Sequence, residues 1–531
     1  MDSETIRWQS VTRSAGVAGF PPSRVRKLAL SRSVSSLFQH RSLPVLAAIA
    51  TALAVPPLTP AAHAAVPALS WRACPTEQAP TLECADLVVP VDRKAPNGPT
   101  VTLAVGRIKA SDPAHRIGAL VYNLGGPNQT LTDLDTPWFD AEIGARFDVV
   151  GWDPRGFGRS QQLKCDTAGF RSDLPHATSA AGFAANRAQT RKAADSCRQL
   201  SGPVFEHLDT AEHAQDLEAL RVALGEERIS YYGASYGTQI GQHYAERFGH
   251  RLRALALDSN MDHSQDATRF IETSTTAVED AYAQFAAWCA RTAGCALHGQ
   301  DAKQVLVRVL AKAEAGRIPG WRHDQVRMTV TNSLYKPAKH FVNLAGTLAK
   351  LDSDTPPAPA TEDTTPLEDL LIRSVMCQDY RWNVRSHQQL DALRQRLRTL
   401  APTTQETVLG LWMANGCVDW PTKVTNPPRP LRVKTGTPKA LVNAVRHDPS
   451  TPYTWSRAVH RALPAGSALL TYEGVGHGTY FRSPCAKNAI LAYLLELRLP
   501  APGASCPAIW PTVDATADAA PIQPIQPSRI W

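Results

Sequence analysis

The sequence predicts an α/β protein in which a mostly parallel sheet is flanked by helices and interrupted by an inserted helical cap. Between residues 82 and 262, short apolar segments alternate with amphipathic stretches, a pattern typical of parallel strands with helical crossovers. The alternation stops at about 263 and resumes at about 436. With 531 residues, 43% of them hydrophobic and 20% charged, the chain is long enough for one such domain with an insertion, or for two domains.

In the first half, strands and helices are predicted in turn. Apolar runs that end in glycines or polar turns predict strands at 100–108, 117–126, 228–232 and 252–259 and at the start of 146–160. Helices are predicted at 209–225 and 238–249. Asp209 and Glu212 stand at capping-box spacing, and Gly225 provides the stop.

The second half begins with long helical stretches at 266–294 and 367–382, separated by a Pro/Thr-rich loop at 351–366. Strands are then predicted at 439–453 and 467–480, and helices at 454–463 and 484–499. The predicted division is a leader, the first part of the core, the cap, the second part of the core and a disordered tail: 1–64, 65–262, 263–435, 436–510 and 511–531.

The first 64 residues have the composition of an export signal. A basic stretch precedes the 13-residue apolar run 43–55, which is too short for a transmembrane helix. Small residues at 62–65 predict cleavage after Ala64 and a secreted protein without stable membrane association; the alternative is a membrane anchor. The leader carries a net +5 of the chain's +8. The remaining +3 includes no basic cluster with interleaved aromatics, so nucleic-acid binding is not expected.

Ten cysteines follow the leader, and an even number in an exported chain indicates disulfides. Pairing neighbours closes short loops, although the sequence does not fix the connectivity. The pairs expected are Cys74–Cys84, Cys165–Cys197, Cys289–Cys295, Cys377–Cys417 and Cys485–Cys506. The spacings C-x-x-C and H-x-x-x-H are absent from the sequence, so no metal is expected.

The stretch YYGASYG places Ser235 at G-x-S-x-G spacing between a predicted strand and a predicted helix. A serine on such a strained turn is lifted clear of the sheet, and the N-terminus of the helix behind it stabilises developing negative charge. Ser235 is therefore the predicted nucleophile, rather than an ordinary serine among small residues.

A serine hydroxyl needs a general base, and the base needs an orienting acid. In an α/β-hydrolase fold both follow the nucleophile at the ends of later strands. Asp448 and His477 fit that order, with Asp258 as the reserve acid. The oxyanion hole is predicted to use the backbone N–H groups of Tyr236 and Gly126.

Together these residues and their surroundings resemble the secreted serine exopeptidases of the tripeptidyl aminopeptidase type, relatives of proline iminopeptidase. The matching stretches run in the family's order across about 85–506: NLGGP, FDVVGWDPRGFGRS, YYGASYGTQIGQHYAERF, MCQD, NGCVDWP, HDPSTPY and GHGTY. The resemblance places Ser235, Asp448 and His477 on the family's triad. The chain departs from the family at Asn128–Thr130, where more glycines are usual, and before Asp448.

The leading hypothesis is a secreted aminopeptidase that releases short peptides, such as tripeptides, from substrates with a free N-terminus. The alternatives are an esterase or other acyl hydrolase, a proline iminopeptidase-like enzyme, and an inactive binding protein of the same fold. An aminopeptidase needs a carboxylate for the substrate's ammonium group. Asp379 and Glu272 in the cap are the candidates, and Asp379 is preferred because it lies in MCQD. The mechanism requires no cofactor, and the sequence leaves the oligomeric state open.

Overall fold

The structure is a computed structural model that describes residues 68–74, 79–135, 137–171, 177–353 and 366–513. The predicted leader 1–64 lies outside the described residues. So do most of the Pro/Thr-rich loop and nearly all of the predicted tail.

Ten strands of the described chain form a single sheet. In chain order they are β1 (Arg72–Ala73), β2 (Leu82–Pro90), β3 (Thr100–Ile108), β4 (Gly118–Asn123), β5 (Phe147–Trp152), β6 (Ile229–Ala234), β7 (Leu252–Asp258), β8 (Leu441–His447), β9 (Ala468–Val475) and β10 (Ser505–Cys506). Their order across the sheet is β1-β2-β3-β5-β4-β6-β7-β8-β9-β10. In this order across the sheet, the neighbouring strands from β1 to β5 pair antiparallel, and those from β5 through β4 to β10 pair parallel.

Fourteen α-helices belong to the described part of the chain. They are α1 (Thr132–Asp135), α2 (Ala141–Arg146), α3 (Ala180–Ser201), α4 (Thr210–Ala223), α5 (Tyr236–Phe248), α6 (Ala267–Arg291), α7 (Ala302–Glu314), α8 (His323–Tyr335), α9 (Pro337–Asp352), α10 (Pro366–Asp379), α11 (His387–Leu400), α12 (Val408–Gly416), α13 (Tyr453–Ala462) and α14 (Pro484–Glu496).

Helices cover both faces of the sheet, which explains why central strands are buried along their whole length. In β4, Val121 packs on the face covered by α4 and α5, whereas Leu120 and Tyr122 pack on the face covered by α2 and α14. This is the predicted α/β architecture. The start of α4 is also as predicted, because the Asp209 side chain accepts a hydrogen bond from the N–H of Glu212.

Seven helices, α6 to α12, are inserted between β7 and β8. Helices α6 to α9 bury an apolar core of their own, which includes Phe285, Trp288 and Phe341. By contrast, α10 and α12 pack into the same core as α3 to α5. The inserted segment therefore combines a separate helical lobe with helices that continue the main core.

Five disulfides form, and they are the five pairs expected from the sequence. Cys377–Cys417 links the end of α10 to the residue after α12. Of the helices that the structure describes, none combines the length and the apolar composition needed to cross a membrane.

Candidate active site

Ser235 lies in the turn between β6 and α5, with φ 53° and ψ −124°. L-residues seldom adopt this backbone conformation, and it persists only where the surrounding structure enforces it. One such constraint is the backbone N–H of Ser235, which donates to the carbonyl of Asp258 at 2.9 Å. The predicted strained turn is therefore present, at the carboxyl end of the central strands.

The glycines on either side of Ser235 are required for space. A Cβ on Gly233 would lie 2.5 Å from the carbonyl oxygen of Gly237, and a Cβ on Gly237 would lie 2.1 Å from that of Asn123. Neither backbone contact can be relieved by moving a side chain. The G-x-S-x-G pattern thus follows from close packing of the turn against the end of β4.

His477 and Asp448 form a direct pair. The Nδ1 atom of His477 lies 3.0 Å from each carboxylate oxygen of Asp448. The Asp448 carboxylate is fully buried, and it also accepts hydrogen bonds from the N–H groups of Ser450 and Thr451 and from the Thr451 hydroxyl. These donors fix the carboxylate, which in turn orients the imidazole with Nε2 away from Asp448.

Three residues, Ser259, Tyr335 and Arg482, contact the loop that carries His477. The N–H of Gly478 donates to the hydroxyl of Ser259 at 2.9 Å, and the N–H of His477 donates to the carbonyl of Tyr335 at 3.2 Å. The Tyr335 ring also lies against the imidazole, with centroids 5.2 Å apart. Arg482 donates to the carbonyl of His477 at 2.7 Å. Sequence reasoning missed Tyr335, because it ends cap helix α8 and no motif connects it to the loop.

Two consecutive residues at the end of β7 contact the segments that carry Ser235 and His477: Asp258 accepts from the serine turn, and Ser259 accepts from the histidine loop. The Oγ atom of Ser235 and the Nε2 atom of His477 are both buried, and neither has a hydrogen-bond partner among the described residues. Buried polar atoms are nearly always paired. The serine hydroxyl and the histidine nitrogen that the predicted mechanism would use are, by contrast, both free of other protein partners within the described part of the chain.

The segment after β4 lies beside the serine turn. Gly126 has φ 113°, and a Cβ there would clash with Asn128. The segment is anchored beyond that point by Asp153, whose carboxylate accepts hydrogen bonds from the N–H groups of Thr130 and Leu131 at 2.6 and 2.8 Å. Tyr236, the second predicted oxyanion donor, is the first residue of α5. Sequence reasoning had not assigned Asp153 a role.

Asp379 is placed differently from its predicted role. It is fully buried at the end of α10, and its oxygens accept four hydrogen bonds: from the N–H and hydroxyl of Thr210, from Gln239 at 3.0 Å and from Asn426 at 2.7 Å. Burial and the nearby Asp209 raise the pKa of Asp379 to about 7, while the donated hydrogen bonds oppose that shift. A carboxylate with both oxygens occupied by protein donors has no place for a substrate ammonium group.

Glu272 lies on α6, where it pairs with Arg396. It lines a cavity of about 400 Å³ between the cap and the core, and Asp448 and Tyr453 line the same cavity. The Arg396 side chain is 63% exposed, whereas the Glu272 side chain is 11% exposed. Among the described residues, no group of three or more His, Cys, Asp or Glu side chains is arranged to hold a metal ion.

A parallel sheet with helices on both faces, a serine on a strained strand-to-helix turn and a histidine–aspartate pair on later strands define an α/β-hydrolase. Residues 406–506, which include Asp448 and His477, match a family described as TAP-like protein.

Three curated relatives align over most of the chain. Serine protease Hip1 of Mycobacterium tuberculosis is 30% identical over 470 residues, covering 80% of this chain and 87% of Hip1. Tripeptidyl aminopeptidase of Streptomyces lividans is 28% identical over 481 residues, covering 84% and 88%. Carboxylesterase B of M. tuberculosis is 31% identical over 501 residues, covering 86% and 95%. The chain belongs to this TAP-like family of α/β-hydrolases and is a serine hydrolase of the peptidase type.

Proposed function

We propose that this protein is a secreted aminopeptidase that releases short peptides, tripeptides among them, from free N-termini. The observation that carries the proposal is the His477–Asp448 pair, at 3.0 Å, together with a buried Ser235 hydroxyl that has no hydrogen-bond partner on its strained turn. The five disulfides are in keeping with an oxidising, extracytoplasmic location.

In the proposed mechanism, Nε2 of His477 takes the proton from Ser235 as the serine oxygen attacks the scissile carbonyl carbon. The N–H groups of Tyr236 and Gly126 stabilise the oxyanion, and the imidazolium then protonates the leaving amine. Water hydrolyses the acyl-enzyme by the same steps. The Ser235–His477 hydrogen bond is not formed in this structure, and such bonds often tighten only when substrate binds.

An exopeptidase must also close its cleft at the substrate's N-terminus. We assign the ammonium-binding role to Glu272, because it lines the same cavity as Asp448 and its partner Arg396 is largely exposed to solvent. Breaking a desolvated charge pair typically costs about 2–5 kcal/mol. Loss of this carboxylate should therefore weaken binding of free-amine substrates selectively.

Ester hydrolysis is the second candidate function, because the relative named Carboxylesterase B aligns over 95% of its length. The same nucleophile and base attack esters, which have better leaving groups than amides. An esterase needs no carboxylate for an ammonium group, so the two functions predict different responses to blocking the substrate's amine.

The deciding experiment compares a free tripeptide anilide, its N-acetylated form and a small acyl ester. We expect cleavage of the free anilide and at least tenfold slower cleavage of the acetylated one. Ser235→Ala should lower the activity on every substrate that the wild type cleaves by on the order of 10⁴-fold. Equal cleavage of both anilides would favour an endopeptidase, and cleavage of the ester alone would favour the esterase.

The anchor is tested separately. Glu272→Gln should raise KM for the free anilide and leave ester hydrolysis unchanged. Glu314→Gln is the matched control, because Glu314 is another cap carboxylate paired with an arginine but outside the lining of the cavity. Equal effects of the two substitutions would contradict the assignment of Glu272.

N-terminal sequencing of protein recovered outside the producing cells tests export and cleavage.

A further inference from the structure

A buried chain of hydrogen bonds runs from cap helix α10 to the residue that follows Ser235. Asp379, the last residue of α10, accepts hydrogen bonds from the N–H and the hydroxyl of Thr210, the first residue of α4. The Thr210 hydroxyl lies 2.8 Å from the phenol oxygen of Tyr236, the first residue of α5. That phenol oxygen lies 2.9 Å from Nδ1 of His213. All four side chains are fully buried.

Above its pKa of about 7, the carboxylate of Asp379 is ionised and can only accept, so it sets the direction of every hydrogen bond in this chain. Thr210 must therefore donate its hydroxyl proton to Asp379 and accept from the phenol of Tyr236. The phenol oxygen must then accept from Nδ1–H of His213. Burial lowers the pKa of His213 to about 4, so the ring is neutral, and its Nε2 has no partner among the described residues. A neutral ring with its proton on Nδ1 is the tautomer that this chain of hydrogen bonds requires.

Asp379 reaches α5 at a second point. Gln239, one turn after Tyr236, donates to Asp379 at 3.0 Å and to the Thr210 hydroxyl at 3.2 Å. Asn426, from the segment that returns to the core, donates to the other carboxylate oxygen at 2.7 Å. The Asp379 carboxylate thus contacts the first turns of two core helices, α4 and α5, and it joins the two ends of the segment 379–426.

We infer that Asp379 is a positioning residue for the oxyanion hole, acting through Thr210, Gln239 and Tyr236 on the first turn of α5. The inference rests on the proposed function, in which the backbone N–H of Tyr236 stabilises the oxyanion. The adjoining Ser235 has a strained backbone, and strain of this kind is kept only where neighbouring contacts hold the chain in place. Fixing the Tyr236 side chain and the next turn of α5 supplies those contacts from the helix side.

A positioning role and an ammonium-binding role predict different kinetics for Asp379→Asn. The amide would point an N–H group at neighbours that are all donors and would loosen the first turn of α5. We expect kcat to fall about 10- to 100-fold for the free tripeptide anilide and for the small ester alike, since removing an oxyanion donor altogether costs about 10²–10³. KM should change less than twofold, and inactivation by a phosphonylating reagent should slow in parallel.

The matched control is Asp369→Asn. Asp369 is an equally buried carboxylate on α10, but it pairs with Arg373 of the same helix. This variant should lower Tm and leave kcat within twofold. Thr210→Val should reproduce the loss of kcat, whereas Thr210→Ser, which keeps both donors, should retain most of the activity. If Asp379→Asn does not fold, Tyr236→Phe breaks the same chain without altering the backbone donor, and it should lower kcat in the same direction.

Each outcome decides the question. An unchanged kcat with a lowered Tm in both Asp379→Asn and Thr210→Val would overturn the inference in favour of a purely structural role. A rise in KM confined to free-amine substrates would overturn it in favour of an ammonium site. Failure of the proposed function itself would show separately, as activity that survives in Ser235→Ala.

Discussion

The backbone N–H of Thr479 donates to both carboxylate oxygens of Asp258, at 2.9 and 2.8 Å. His477, two residues earlier, instead directs Nδ1 at Asp448. Asp258 is the last residue of β7 and Asp448 directly follows the neighbouring strand β8, and the two aspartates act on one loop in different ways. Asp448 contacts the imidazole, and Asp258, the reserve acid of the sequence prediction, holds the backbone that carries it.

Asp448→Asn should abolish most of the activity while leaving the fold intact. The amide can present its N–H₂ to Nδ1 of His477 and stabilise the tautomer that cannot accept the serine proton. In a serine protease with such a triad, this exchange lowers kcat by about 10⁴, and we expect a loss of that order here. The check is kcat for a free tripeptide anilide, with Tm as the control for folding. A loss below tenfold would contradict the assignment of Asp448.

Asp258→Asn should have a different profile. Its carboxylate accepts hydrogen bonds from the N–H groups of Thr479 and Tyr480 and from the Tyr232 hydroxyl. An amide keeps one acceptor oxygen, so we expect a fall in Tm of several degrees and a loss of kcat of about tenfold or less. A loss as large as that of Asp448→Asn, at unchanged Tm, would make Asp258 the catalytic acid.

The parts of the site that sequence reasoning predicted depend on local rules. The glycines around Ser235 follow from backbone contacts that leave no room for a Cβ, and the start of α4 follows from the Asp209 cap. Asp448 was predicted from its place at a strand end and its order after the serine. Each of these signals lies within a few residues of the group that it positions.

The parts that sequence reasoning missed depend on contacts between distant segments. Nothing in the stretch around Asp379 shows that its carboxylate is buried against Thr210, 169 residues earlier in the chain. Tyr335, which contacts the His477 loop from the cap, was missed for a similar reason. Helix α3 was not predicted because its buried residues are mostly small, such as Ala193 and Ala194, and give no strong apolar periodicity.

Removal of the Cys377–Cys417 disulfide should destabilise the protein more than removal of Cys289–Cys295. The two bridges close loops of 40 and 6 residues, and all four cysteines are buried. The entropy of the unfolded chain predicts losses of about 4 and about 2 kcal/mol for the two double alanine variants. Denaturant unfolding measures both values. Equal losses, or free thiols at these positions in non-reducing peptide mapping, would contradict the prediction.

The stability difference between wild type and Asp379→Asn should depend on pH. The pKa of Asp379 rises from an ordinary 3.8 to about 7 in the folded protein, chiefly because of burial and then of Asp209. The folded state therefore binds this proton more tightly than the unfolded state. The stability that the group contributes is fully present below about pH 4 and is lost as the pH rises to about 7.

Asparagine does not titrate. The free energy of unfolding of Asp379→Asn minus that of wild type should therefore increase between pH 4 and pH 8, by at most a few kcal/mol. The other titratable groups around Asp379 are present in both proteins; they are Asp209, His213, Tyr236, His243, His263 and Tyr380. Glu314→Gln is a control of opposite sign: burial raises the pKa of Glu314, but the hydrogen bond from Arg398 and the surrounding positive charges together lower it below its ordinary value. Urea unfolding at several pH values measures all three proteins, and a difference independent of pH would contradict the prediction. The stability of Asp379→Asn relative to wild type is highest at pH 8, so kcat is best compared there, on protein that its urea curve shows to be folded. A loss of kcat under those conditions would separate positioning of the oxyanion hole from stabilisation of the fold.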